Sequence, residues 1–169
     1  MATQLESTSV ADAQDSFPIN GTDYIEFYVG NAKQAAHFYR SAFGFELVAY
    51  RGPETGVRDR ASYLLIQNKI RLLLTSSIGP GTDIAKHVDL HGDGVRDIAL
   101  WVDDARESFR LAVERGATAV HEPKVMKDEH GEVIVAAIRT YGDTIHSIVQ
   151  RDNYRGLFMP GFQAVSSPY

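Results

Sequence analysis

The sequence contains no cysteine, which removes disulfides, thiolate metal sites and a cysteine nucleophile together and fits a cytoplasmic protein. Positive charge is also scarce: 17 Lys and Arg against 22 Asp and Glu leave a formal charge of −5 and a pI near 5.6. Nucleic acids and anionic membranes are recognised by basic footprints, so neither is expected as a partner. Long apolar runs are missing too. The longest, Val133–Ile138, falls far short of the roughly 20 residues of a membrane helix. No basic segment followed by an apolar core marks the N-terminus as a signal peptide. Residues 1–17 are mostly Ser, Thr, Ala, Gln and Asp and read as a disordered arm. What remains, 44% hydrophobic in a chain of 169 residues, is enough for one compact core.

Against these absences stands an internal repeat. Residues 24–39 read YIEFYVGNAKQAAHFY and residues 97–112 read DIALWVDDARESFRLA. Ile25 corresponds to Ile98, Phe27 to Leu100, Val29 to Val102, Asn31 to Asp104 and Ala32 to Ala105. Each copy is an alternating strand, a turn, and then an amphipathic helix, a unit that buries its apolar face best against its partner. The first strand spans about 23–29, and Asn31 is placed to cap a helix that Gly44 ends. Three strands follow, at about 45–50, 61–67 and 69–76. A connector over 78–94 holds a short helix near 83–90. The second copy repeats the order: a strand at 96–102, a helix at 103–115, and strands at 118–123, 132–140 and 144–151. The loop KDEHGE (127–132) separates the first two of those strands.

The order βαβββ, given twice, predicts an α+β fold with two modules, about 22–77 and 95–152, in one domain over 18–152. Together they form a curved, eight-stranded mixed sheet with helices on its outer face. Strand alternation sends Ile25, Phe27, Val29, Ile98, Leu100 and Val102 toward the helices. Tyr24, Glu26, Tyr28, Asp97, Ala99 and Trp101 then face the concave side. The segment 153–169 has no period and reads as a connection, and its Tyr154, Leu157, Phe158, Met159 and Phe162 need something to cover them.

Paired βαβββ modules of this kind resemble the vicinal oxygen chelate superfamily, also called glyoxalase-like. Four ordered segments sharpen the resemblance: 29–56, HGDGVRDIALWVDDA (91–105), KDEHGEVIVAAIRTYGDTIHSIVQR (127–151) and NY-x-G-x-F-x-PGF (153–162). They are similar to the N-terminal half of the 4-hydroxyphenylpyruvate dioxygenase family. The resemblance implies a non-haem Fe(II) enzyme of tyrosine catabolism that converts 4-hydroxyphenylpyruvate and O₂ to homogentisate and CO₂. It places the iron in a C-terminal catalytic half, on two His and one Glu. It implies a structural and oligomerising role for this half, as part of a homo-oligomer. Hydroxymandelate synthase, a sister enzyme, is the alternative, and so is a free-standing small-molecule-binding protein of the superfamily.

The positions that resemble iron ligands fall on Tyr24, Asp97 and Ser147. No histidine stands at any of them, so no metal is expected in this chain and no catalytic residue is assigned to it. An alternative set, His121, His146 and Asp97, imitates two imidazoles and a carboxylate, but strand parity puts His146 on the helix side if Ser147 faces the cup. His87 and His91, spaced i, i+4, lack the HExxH pattern and read as helix-end residues. Tyr24, Glu26, Tyr28, Asp97, Trp101 and Ser147 either line a ligand pocket or fill the cup. Packing is the simpler reading, with Glu26 paired to Arg71 or Arg139.

Overall fold

The computed structural model describes residues 17–165. Two long strands lie at the middle of one sheet: β1 (Gly21–Tyr28) and β5 (Gly94–Trp101), paired antiparallel. Their register exposes an internal two-fold relation. Ile25 lies opposite Ile98, its own counterpart in the repeat, with Tyr24 opposite Ala99 and Glu26 opposite Asp97. Further out, Thr22 opposes Leu100 and Phe27 opposes Val95. Each strand carries one extra residue, Asp23 in β1 and Arg96 in β5, and these too are equivalent positions of the repeat. A bulge of this type re-aims side chains, so Asp23 can reach the face that Tyr24 occupies.

The two halves then follow the same order. After β1 come α1 (Ala32–Phe43), β2 (Glu46–Arg51), β3 (Arg60–Gln67) and β4 (Ile70–Ser77). A connecting helix, α2 (Asp83–His91), leads to β5, followed by α3 (Ala105–Glu114), β6 (Ala119–Asp128), β7 (Gly131–Arg139) and β8 (Ile145–Gln150). β4 runs parallel to β1, and β8 parallel to β5. Local chemistry sets the helix ends as expected. Asn31 Oδ1 accepts from the Gln34 amide at 3.0 Å, Asp104 Oδ1 accepts from the amides of Arg106 and Glu107, and Gly44 ends α1 at φ 74.

The sheet has nine strands rather than eight, in the order β6-β7-β8-β5-β1-β4-β3-β2-β9. The ninth, β9 (Gln163–Ala164), comes from the segment expected to be a connection and pairs with β2. Its backbone groups and those of the β2 edge satisfy one another, which no side-chain period announces. β6 is also longer than expected, reaching Asp128, so the KDEHGE loop shrinks to a turn at Glu129 and His130. The expected arm, residues 1–16, lies outside the described residues. Phe17 packs on the α3 core.

One face of the sheet carries α1 and α3. Val29, Ala32, Ala36, Leu65, Leu72 and Leu74 form a cluster under α1, with Ile25 and Phe27 against it. Val102, Ala105, Phe109, Ala136 and Ile148 form the matching cluster under α3. Phe38 on α1 points outward and is 56% exposed.

The opposite face presents Tyr24, Leu64, Leu73, Ala99, Val133 and Val149, and it is covered by the chain itself. Tyr154, Phe158 and Met159 bury themselves there, while Leu157 stays exposed. The covering those residues need is thus the sheet. Gly131 permits the close approach: at φ 121 it lies against the Asn153 carbonyl, where a Cβ would collide. Phe158 is 2% exposed, so Phe158→Ala is expected to destabilise the fold by about 3–5 kcal/mol in urea unfolding. Leu157→Ala should change stability by less than about 0.5 kcal/mol in the same measurement.

Candidate functional site

The face opposite the helices brings Tyr24, Asp97 and Ser147 together. β5 and β8 lie side by side with Asp97 opposite Ile145, and β1 supplies Tyr24 from the other side. Asp97 is buried, and its carboxylate takes three hydrogen bonds. Tyr24 Oη donates at 3.0 Å and Ser147 Oγ at 2.5 Å, both to Oδ2, while the Ser147 amide donates to Oδ1 at 2.8 Å. Burial raises the Asp97 pKa, and the bonds from Ser147 and Tyr24 oppose that rise. Burial, and then the Asp97 charge, push the Tyr24 phenol well above its ordinary value.

These positions are the ones that resemble iron ligands, and their chemistry does not suit iron. A facial Fe(II) site needs two imidazoles and a carboxylate with free lone pairs. Here the carboxylate is occupied by donors, and the other two groups are hydroxyls. The alternative set does not converge either. His146 Nδ1 lies 2.8 Å from the Ile98 carbonyl, and His121 is exposed at a side cleft. His87 and His91 stack with ring centroids 4.8 Å apart, but His91 is engaged by Asp143 at 2.8 Å and His87 meets the edge of Tyr28. Among the described residues, no group of three or more His, Cys, Asp or Glu side chains is placed to hold a metal ion.

Glu26 has neither arginine expected for it. Arg71 turns to Asp23 at 3.8 Å and Arg139 to Asp143 at 4.0 Å. Glu26 instead accepts from Thr75 Oγ1 at 2.6 Å, and Thr75 is bonded in turn to Ser62 at 2.9 Å. Burial raises its pKa to about 7; the Thr75 bond opposes this, Asp97 across the strand pair adds to it, and Arg51 and Arg60 oppose it from further away. Tyr28 lies under the Arg96 guanidinium at 5.9 Å, and burial pushes its pKa up to about 12. Trp101 sits at the end of β5 opposite Gly21, is 37% exposed and lies outside the buried cluster of this face.

Sequence reasoning missed Asp23 and Arg151. Arg151 grips the Asp23 carboxylate with Nε at 2.5 Å and a terminal nitrogen at 2.6 Å, and the carboxylate is only 1% exposed. The same guanidinium donates to the Phe158 carbonyl and lies 5.3 Å from the Phe158 ring. The bulge at Asp23 makes this reach possible, and no local pattern in the sequence marks it.

With this geometry established, comparison with known proteins places the chain. Residues 21–144 match the family model of the Glyoxalase/Bleomycin resistance protein/Dioxygenase superfamily. The chain belongs to that superfamily. Among curated relatives it is similar to a 4-hydroxyphenylpyruvate dioxygenase of Tetrahymena thermophila, 47% identical over 85% of this chain and 37% of that protein. A second, from Yarrowia lipolytica, is 42% identical over 95% of this chain and 41% of that protein. The chain therefore spans less than half the length of these relatives. Among solved structures, a triple mutant of 4-hydroxymandelate synthase from Streptomyces coelicolor superimposes with a TM-score of 0.79 at 30% identity, over 88% of this chain and 43% of that one. A methylmalonyl-CoA epimerase from Mycobacterium tuberculosis, 20% identical with a TM-score of 0.65 over 80% of this chain and 90% of that one, shares the fold.

Two outcomes follow from the buried charges. Glu26 titrates near 7 in the fold and near its ordinary 4.5 when unfolded. The folded state therefore holds the extra proton, and the group's favourable contribution is lost as pH rises from about 4.5 to 7. Glu26→Gln should flatten that pH dependence and raise stability at pH 8 by about 1–2 kcal/mol, read from urea unfolding across pH. Arg151→Leu, which leaves the buried Asp23 carboxylate only the 3.8 Å contact with Arg71, should cost about 3–5 kcal/mol in the same assay at pH 7.

Proposed function

We propose that this chain is the N-terminal, non-iron-binding part of a 4-hydroxyphenylpyruvate dioxygenase. On this reading its two βαβββ units form a curved sheet over 18–152, and the segment after it leads toward a C-terminal catalytic half. That half holds Fe(II) on two His and one Glu and converts 4-hydroxyphenylpyruvate and O₂ to homogentisate and CO₂. This part supports it structurally and contributes contacts to a cytoplasmic homo-oligomer. The observation that carries the reading is the identity of 42–47% to such dioxygenases over 85–95% of this chain. The hydrogen-bonded Tyr24–Asp97–Ser147 set supports a scaffolding role, because its carboxylate is engaged by three hydrogen bonds and its other two members are hydroxyls rather than imidazoles. Exposed Phe38 and Phe43 on α1, with ring centroids 5.7 Å apart, give the remainder of the protein or a second copy an apolar surface to cover.

The sister reading, the N-terminal half of a hydroxymandelate synthase, draws on the likeness to that enzyme's structure. The lower identity, 30% against 47%, favours the dioxygenase. A free-standing binding protein using the sheet's open face is disfavoured, since Phe158 and Met159 occupy that face. No helix among the described residues is long and apolar enough to cross a membrane.

The test is metal analysis and oxygen uptake on the chain after anaerobic loading with Fe(II). It is expected to retain far less than one iron per chain and to consume no oxygen with 4-hydroxyphenylpyruvate. Stoichiometric iron, or substrate-dependent oxygen uptake, would overturn the reading. Coding sequence beyond residue 169 that lacks two His and a Glu at module-like spacing would also count against it.

A further inference from the structure

The helix-bearing face is not fully covered. α1 packs chiefly against β3 and β4, while β9 widens the sheet beyond β2, on the side away from the helix. The uncovered strip is a groove of about 660 Å³, within the range of small-molecule sites. Its floor is apolar and aromatic: Leu47, with Tyr50 and Tyr63 in contact at 4.9 Å between ring centroids. One wall is α1, which contributes Lys33 and Arg40, and the other is the β9 edge with the short turn that bears Glu54.

The charges along this groove do not cancel. Glu54 is its single lining carboxylate among the described residues; the Tyr50 hydroxyl donates to it at 2.5 Å, and Lys33 bears on it electrostatically. That leaves the Arg40 guanidinium, which has no ion pair or hydrogen bond from its side chain among the described residues. The groove thus combines an aromatic floor, two rings inclined at 53°, with one uncompensated cation at its rim. A guanidinium in that position suits a carboxylate, sulfonate or phosphate.

We propose that this groove binds a small organic anion with a flat, apolar or aromatic body and one acidic group, its ring on the Tyr50–Tyr63 floor and its acid on Arg40. The site lies on the face opposite the Tyr24–Asp97–Ser147 set. It therefore stands or falls separately from the dioxygenase reading.

Two fluorescent probes test it: anilinonaphthalene sulfonate and phenylnaphthylamine, the same ring system without the charge. The chain is expected to bind the sulfonate one-to-one and about tenfold more tightly than the neutral probe, as one charge-assisted contact implies. Arg40→Glu should abolish that preference, whereas Arg106→Glu, an equal charge change on the exposed side of α3, should leave it. Amide shifts on binding should centre on Leu47, Tyr50 and Tyr63, and melting curves confirm that each variant is folded. Equal affinity for the two probes overturns the proposal, as does a preference that survives Arg40→Glu or shifts that centre elsewhere. Binding that develops only when the residues after Val165 are removed overturns it too, because the chain itself is then the occupant.

Discussion

The buried pair between Asp23 and Arg151 is the contact on which the arrangement of this protein turns. A carboxylate with 1% exposure is tolerable only with a well-placed partner, and Arg151 meets it with two nitrogens. The pair joins the start of β1 to the end of β8, far apart in sequence, and so closes the central part of the sheet. The same guanidinium holds the Phe158 carbonyl and lies along its ring. One side chain therefore fixes both the sheet and the segment that covers it. Phe158 in turn meets Tyr24 edge-on at 5.3 Å, which carries the constraint to the Tyr24–Asp97–Ser147 set.

That set lies beside the internal two-fold relation between β1 and β5. Tyr24 and Asp97 are equivalent residues of the repeat, and they hydrogen-bond directly at 3.0 Å. In a fold that brings equivalent strands together, equivalent positions meet near the axis. They can share a metal if they bear imidazoles and carboxylates. Here they bear a phenol and a carboxylate, and the contact between halves is made by protons instead. The consequence is a junction whose strength depends on burial and on hydrogen-bond geometry, with Glu26 and Asp97 directly opposed across it. Like charges in that position repel. Burial is the main cause of the rise of the Glu26 pKa to about 7, and the repulsion from Asp97 adds to it.

How much of this was legible beforehand depends on the range of the interaction. The repeat, the helix caps at Asn31 and Asp104, the stop at Gly44 and the alternation of Ile25 and Phe27 against Tyr24 all rest on near neighbours, and they were readable. Trp101 is left partly exposed at its strand end, because alternation gives a face but not how far along the strand the covering extends. The bulges at Asp23 and Arg96 shift side chains without any change of residue pattern. Glu26 was expected to find an arginine, yet a threonine on β4, its neighbouring strand in the sheet, meets it instead. β9 was invisible because two residues pairing through backbone alone leave no hydrophobic signature. The segment from Tyr154 to Phe162 showed its apolar residues plainly, but nothing local says which surface they will cover.

The two faces of the sheet have become unlike through that one segment. By laying Phe158 and Met159 across one face, it covers Tyr24, Leu64, Leu73 and Val149 there. By adding β9 to the edge, it extends the other face past α1 and supplies one wall of the groove floored by Leu47, Tyr50 and Tyr63. The sheet could have been covered on both sides only if α1 were displaced outward, which would uncover Leu65, Leu72 and Leu74 instead. A single helix about 10 Å across cannot span the added strand as well. The same segment therefore fills one face of the sheet and walls the groove on the other.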